Sequence, residues 1–491
     1  MIDPLAPALA LSSSRLSPPP TPWRTVFIHA AVLVAWIALF SCAFAQAGIL
    51  AWAVGIAYIV YDTLLQLFVV VECRRLRAPV ATPSIAVGSP SDLGVGVGVD
   101  VDVGARLGAI VAAYNEATVL PATIAAMLGQ TSPPDVIIVA DDGSSDDTHA
   151  VLAAHYGLAP PPLGSLGEAS PVAPALRWLR LAHGGKARAL NAALVECDAG
   201  IVLTVDADTL LEPGAVAAVR AAFAAESELV AITGVITPRC KPTPGGRCLE
   251  WFQTYEYIRN FLSRYAWMQQ GGLLLVSGAF AGFRRSALLD VGGFDAACLV
   301  EDYELIHRLR RHAGDRGIDW RVRVLGDAQA RTEAPGSVGA FLRQRQRWFG
   351  GFLQTQYWYR SMVGDPKLGR LGTWMLPVKA IDTLQPLYGL TAFALLVFYV
   401  ATGRFAIVAP VAAVIGAKVA VDLGFHLWSV HLYRRWVGDA KRASLVAALV
   451  AALAEPFTFQ LLRHAGAALG WAAVVSRSRR WGRQTRFGLD R

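Results

Sequence analysis

The chain has 491 residues, of which 54% are hydrophobic, 10% aromatic and only 17% charged, with mean hydropathy +0.41. Soluble globular proteins carry about 25% charged residues, so this composition argues against a wholly soluble enzyme and against a disordered protein. The net charge is +8, but the arginines gather beside apolar runs (Arg74, Arg75 and Arg77; Arg434 and Arg435; Arg477, Arg479, Arg480, Arg483 and Arg486). Membrane topology accounts for that placement, and no nucleic-acid partner is expected.

Residues 1–22 are polar and Pro-rich and predict a disordered cytosolic tail. Residues 23–72 predict two transmembrane helices, because the apolar runs 25–46 and 48–71 are each long enough to cross a bilayer. A cleaved signal peptide fits poorly, since a second span follows at once. The positive-inside rule then places both flanks in the cytosol. Residues 73–106, with the run VGVGVDVDVG, predict a linker whose V-x-V alternation could also pair as an edge strand.

From residue 107 short apolar runs alternate with helical patterns. LGAIVAAY, DVIIVA and GIVLTV read as strands, and ATVLPATIAAMLGQ and ARALNAALVEC as helices. Strands alternating with helices predict βαβ units and a mostly parallel sheet, whose ligands bind at the carboxyl ends of the strands. Asn115, Glu116, Asp141, Asp142 and Asp206 lie at or just beyond such ends. Residues 353–476 predict interfacial and transmembrane helices, with spans at 383–402 and 405–431. The stretch 443–475 is interrupted by Glu455, Pro456, Arg463 and His464 and reads as two short passes, or one pass plus an interfacial helix. Residues 477–491 predict a basic cytosolic tail. The six cysteines form no CxxC and read as reduced thiols.

Several patterns could carry chemistry. Asp206-Ala207-Asp208 follows a buried strand, and residues i and i+2 of a strand share a face, so two carboxylates could hold Mg2+ or Mn2+. Gly184-Gly185-Lys186 opens a helix, where main-chain amides and an ammonium suit a phosphate. Asp302 opens another helix as an N-cap or as a general base, and an ionised carboxylate serves both. Gln344, Arg347 and Trp348 form Q-x-x-R-W. It reads as a basic interfacial helix, or as an amide for hydroxyls, a guanidinium for a diphosphate and a ring for a sugar. Helix 247–267 carries Trp251, Tyr255, Ile258, Leu262 and Tyr265 at helical spacing, as a core face or as the lining of an acceptor channel. Lys418, Asp422 and His426 share one face of a predicted span, as a buried pair joining helices or as a contact for an exported polysaccharide.

The ordered set YNE, DDGS, GGKARALNAAL, DAD, VSGAFAGFRRSALLDVGGFD, VED, TEAP and QRQRW resembles the family 2 membrane glycosyltransferases. That group includes synthases of cellulose, hyaluronan, chitin oligomers and poly-N-acetylglucosamine. The resemblance covers residues 107–352 and implies a cytosolic α/β domain of the GT-A type, Rossmann-like, inserted between N- and C-terminal transmembrane helices. It further implies that Asp141 and Asp142 lie near uridine and that Asp206 and Asp208 contact the UDP diphosphate through Mg2+ or Mn2+. Asp302 becomes the base of a single inverting displacement, Lys186 lies near the nucleotide, and Gln344, Arg347 and Trp348 hold UDP and the acceptor end. The partners implied are a UDP-sugar donor, a growing glycan or lipid acceptor, and the bilayer. VED stands where TED is common. Ala279-Phe280-Ala281-Gly282 departs from the Cys-Gly variant of cellulose and chitin-oligomer synthases, which points away from those products. Q-x-x-R-W with the spans favours processive synthesis and export. A non-processive transferase is the near alternative, and a transporter a distant one.

Overall fold

The computed structural model describes residues 4–76, 106–438 and 444–476. Among the described residues four helices are long and apolar enough to cross a membrane: Trp23–Ala45, Gly48–Cys73, Leu371–Ala401 and Phe405–Trp436. The third begins well before the predicted residue 383. The interrupted stretch becomes two helices, Leu445–Phe457 and Phe459–Val475, bent by 49°. The bend falls just after Pro456, which has no N–H to continue a helical ladder.

Between these helices lies one nine-stranded sheet. Its strands are β1 (Leu107–Ala113), β2 (Val136–Asp141), β3 (Ser165–Ala169), β4 (Leu176–Arg180), β5 (Ile201–Asp206), β6 (Thr209–Leu211), β7 (Leu229–Arg239), β8 (Phe280–Arg284) and β9 (Arg321–Glu333). The order is β3-β4-β2-β1-β5-β8-β7-β9-β6. Strands β4, β2, β1 and β5 are parallel, as expected, and β1, β2 and β5 are buried along nearly their whole length. That burial on both faces explains their near-continuous apolar sequences. The sheet is mixed rather than mostly parallel, because β3, β6 and β8 run antiparallel to their neighbours. Register aligns Ala113 with Asp141 and Ala112 with Asp206, so the carboxylates emerge at one end of the sheet.

The expectation of a disordered tail over 1–22 is corrected. Ala6–Ser12 is a helix, Leu5 is buried, and Ser12 Oγ donates to the Val291 carbonyl at 2.7 Å. Arg15 makes a bidentate pair with buried Asp295 at 2.8 and 2.9 Å and lies over the Trp358 ring. Long-range partners order a segment whose own composition looks unstructured. The linker and its V-x-V run lie outside the described residues, apart from 73–76 and 106, as does the basic tail. Helix Pro244–Gln269 buries Tyr255, Ile258 and Leu262 in the core. Lys418 pairs with Asp422 and, across helices, with Asp62 at 2.6 Å, while Gln66 donates to Asp62 and Asp422.

Candidate active site

The loops after β1 and β2 are built on each other. Asn115, the only non-glycine residue with positive φ (56°) among the described residues, accepts at its Oδ1 from the Ser145 and Asp146 amides at 2.8 and 3.2 Å. Asparagine tolerates this left-handed conformation better than most side chains. Glu116 is buried, with its N–H on Thr148 Oγ1. Asp141 is fully buried. One of its oxygens accepts from the Ser144 amide at 2.9 Å and the other meets His149 Nε2 at 2.7 Å. Asp142 accepts from the Gly184 and Gly185 amides at 2.8 and 2.9 Å. The amides expected to cradle a phosphate before helix Lys186–Glu196 are therefore taken by the chain's own carboxylate. Tyr114 and His183 stack at 4.2 Å on the rim of this region.

Lys186 turns instead to Asp206 Oδ1 at 2.7 Å and Glu301 Oε1 at 3.1 Å. Burial alone would depress its ammonium, but these two carboxylates raise it above the ordinary lysine value. Burial likewise pushes Glu301 up, yet Lys186, a main-chain hydrogen bond and Arg347 together hold Glu301 below the usual range. Asp302 lies in the first turn of helix Glu301–Arg316 rather than at its cap, which is Val300. Its Oδ2 accepts from the Gly278 amide at 2.6 Å and its Oδ1 from the Tyr303 amide at 2.8 Å. Burial and the charge of Glu301 nevertheless push Asp302 up to about 6. A Cβ built on Gly278 would sit 2.9 Å from Asp302 Oδ2 and 3.3 Å from Lys186 Nζ, so one glycine touches both groups. The result is a four-membered charged cluster, Lys186, Asp206, Glu301 and Asp302, at the β5–β8 boundary where the sheet changes from parallel to antiparallel.

Asp208 does not share a strand face with Asp206. Strand β5 ends at Asp206, and Asp208 stands in the following turn, buried, with Thr332 Oγ1 at 3.4 Å. Among the described residues no three His, Cys, Asp or Glu side chains gather as a metal cage. The two carboxylates of Asp206 and Asp208 still fit Mg2+ or Mn2+, because Mg2+ is usually bound by one or two carboxylates plus phosphates and water.

The Q-x-x-R-W residues lie on helix Val338–Trp358, which meets the start of helix Glu301–Arg316 directly. A Cβ on Gly351 would lie 2.4 Å from Val300, and Gln354 Oε1 accepts from the Leu299 amide at 3.1 Å. The charge of Arg347 also acts on Glu301. Gln344 is buried, and its Oε1 has no hydrogen-bond partner among the described residues, an orphan that a ligand hydroxyl would satisfy. Trp348 is half-buried, with the Arg345 guanidinium 4.4 Å from its ring. Sequence reasoning gave no site role to Glu301, Gly278 or Arg345, although all three lie within motifs it had picked out.

A half-parallel sheet with carboxylates at its strand ends and a charged helix start beside them defines a glycosyltransferase domain of the GT-A type. The fold resembles that of a mannosyltransferase from Pyrobaculum calidifontis, solved in complex with GDP-Man and Mn2+ (TM-score 0.53, 21% identity, covering 83% of this chain and 99% of that one). The description "Glycosyl transferase family 2" matches residues 109–292 and "Glycosyl transferase family group 2" matches residues 201–408. Together the two matches span residues 109–408, and the chain is similar to polysaccharide synthases of that family. Poly-beta-1,6-N-acetyl-D-glucosamine synthase of Staphylococcus epidermidis is 28% identical over 57% of this chain and 62% of its own length. The synthase of the same name from Staphylococcus aureus is 27% identical over 49% of this chain and 53% of its own. The chain therefore matches less than two thirds of these relatives' length.

Proposed function

We propose that this protein is a membrane-embedded, inverting glycosyltransferase that extends a β-linked polysaccharide processively from a UDP-sugar and passes it across the membrane. The observation that carries this reading is the Asp302 carboxylate, oriented by two main-chain amides beside Lys186 and Asp206, on a helix whose leading residues Leu299 and Val300 pack against the Q-x-x-R-W helix. Asp302 takes the proton of an acceptor hydroxyl as that oxygen attacks the anomeric carbon and the UDP diphosphate departs from the opposite face. Lys186 supplies positive charge near the departing diphosphate, and Gln344, Arg347 and Trp348 hold UDP and the acceptor end. Asp206 and Asp208 would hold Mg2+ or Mn2+, which neutralises diphosphate charge when bound. Asp141, Asp142, Asn115 and Glu116 shape the nucleotide wall by fixing its loops.

The relatives' names make UDP-N-acetylglucosamine the first donor to test. A cytosolic catalytic domain is supported by Arg74 and Arg75 and by Arg434 and Arg435 at the ends of the long helices. Docking of residues 5–15 on the catalytic domain fits too, since two passes return the chain to one side. The experiment is UDP release by detergent-purified protein with Mg2+ or Mn2+. UDP-N-acetylglucosamine, UDP-glucose and UDP-glucuronate are supplied singly and in pairs, and products are sized on a gel. Long product from one donor supports a homopolymer synthase. UDP release with only short products refutes processivity, and no turnover with any of the three refutes them as donors for the purified protein.

A further inference from the structure

Three helices meet at one buried carboxylate that the transfer chemistry does not use. Glu256, on helix Pro244–Gln269, has a side chain only 2% exposed. One of its oxygens takes Arg345 Nη2 at 2.6 Å and the other takes Arg463 Nε at 3.0 Å. Arg345 stands within the Q-x-x-R-W motif, and Arg463 belongs to helix Phe459–Val475. The Arg345 guanidinium is sandwiched between two rings of its own helix, 4.6 Å from Phe341 and 4.4 Å from Trp348. Beyond Arg463 the polar chain runs on to Glu455, then to Arg259 at 2.5 Å, whose other N–H meets His426 Nδ1 at 2.5 Å.

The contact between the two helices is also backbone-close. Helix Phe459–Val475 carries Gly466-Ala-Ala-Leu-Gly470, and small residues at this spacing let helices approach. A Cβ on Gly466 would lie 2.5 Å from Arg345 Cβ, and one on Gly470 would lie 2.8 Å from Phe349 Cβ. The Q-x-x-R-W helix is therefore pressed against a membrane-side helix with no freedom to roll.

A buried ion cluster is weak evidence for stability, because apolar side chains of similar volume often pack as well. What it supplies that apolar groups cannot is orientation. A guanidinium is planar and stacks on aromatic faces, and here Glu256 holds it at Nη2. Fixing the Arg345 plane fixes the ring stacked on it, and that ring is Trp348.

We propose that Glu256 is a positioning residue for the acceptor. By bridging Arg345 and Arg463 it sets the Trp348 ring and ties the acceptor-holding helix to the helices beside the membrane. The inference rests on the reading that Trp348 contacts the acceptor sugar.

The test uses full-length protein in nanodiscs, UDP-N-acetylglucosamine as donor and a β-1,6-linked N-acetylglucosamine tetramer as acceptor. Glu256→Gln should raise the acceptor KM by about 10- to 100-fold, the cost of a misplaced positioning group, with donor KM and kcat within about twofold. Arg463→Gln leaves the Arg345–Glu256 pair intact and should raise the acceptor KM less, which keeps the proposal testable if Glu256→Gln does not fold. Glu256→Asp should restore part of the affinity. A fall in kcat, or in thermal stability, at unchanged acceptor KM in both charge-removing variants overturns the positioning role. Trp348→Ala separates the two levels. If it leaves the acceptor KM unchanged, the acceptor reading itself is wrong. If it raises that KM while Glu256→Gln and Arg463→Gln do not, only the positioning role is lost.

Discussion

Replacing Gly278 by alanine adds one methyl group at the point where the base and the lysine meet. Gly278 does not have positive φ, so alanine fits its backbone. The added Cβ would stand 2.9 Å from Asp302 Oδ2, closer than such contacts allow, and the carboxylate must retreat from the Gly278 amide it now meets at 2.6 Å. A hydrogen bond to a charged group contributes about 1.5–3 kcal/mol. One pKa unit corresponds to about 1.4 kcal/mol, so weakening this bond by roughly half raises Asp302 by about one unit. The sign follows from the bond's role. The amide favours ionised Asp302, so losing it favours the protonated acid, which cannot accept a proton. Wild-type kcat/KM for UDP release should fall below a midpoint of about 6. In Gly278→Ala the midpoint moves to about 7, and the ionised fraction at pH 6 drops about fivefold. Initial-rate measurements from pH 5 to 9 read both limbs directly. An acid limb at the same pH in the folded variant would refute the reasoning.

Asp302→Asn should abolish transfer and leave UDP-sugar binding nearly intact by isothermal titration; lost binding with retained transfer would reverse the base assignment. Asp208→Ala should weaken the metal-dependent part of UDP binding, and a metal dependence equal to wild type would remove Asp208 from the metal site. Arg15→Ala strips the bidentate partner from Asp295, whose side chain is 1% exposed. Because Arg15 itself is partly exposed, the expected loss is about 2 kcal/mol, below the cost of breaking a fully buried pair, seen as a lowered Tm in detergent.

Much of the central domain was legible because a strand buried on both faces announces itself as a continuous apolar run. Asp141 and Asp206 stand out where such runs stop. Their partners were not legible in the same way. The Lys186–Glu301 pair joins residues far apart in sequence, and nothing in either segment names the other. Asp208 was misplaced because strand alternation was extended two residues beyond the strand's end. The phosphate cradle expected at Gly184 and Gly185 is occupied by Asp142, a long-range contact that a motif does not encode. Asp62 passed unnoticed as a single charge in a span, and only the packed helices show it beside Lys418. Residues 4–22 were misread for a related reason. Proline content describes a segment's local preference, whereas Leu5 and Arg15 are ordered by residues near 290.

That last contact has a consequence for how the protein is made. Arg15 and Asp295 are separated by 280 residues. Ribosomes extend a chain at about 5–20 residues per second, so the first segment waits roughly a quarter of a minute to a minute before its partner exists. By then the first two long helices have been synthesised, and the waiting segment must have stayed on the side where the domain will fold. Its docking comes late, after the loop that leads into helix Glu301–Arg316 has been synthesised, and so serves as a seal on a finished catalytic domain.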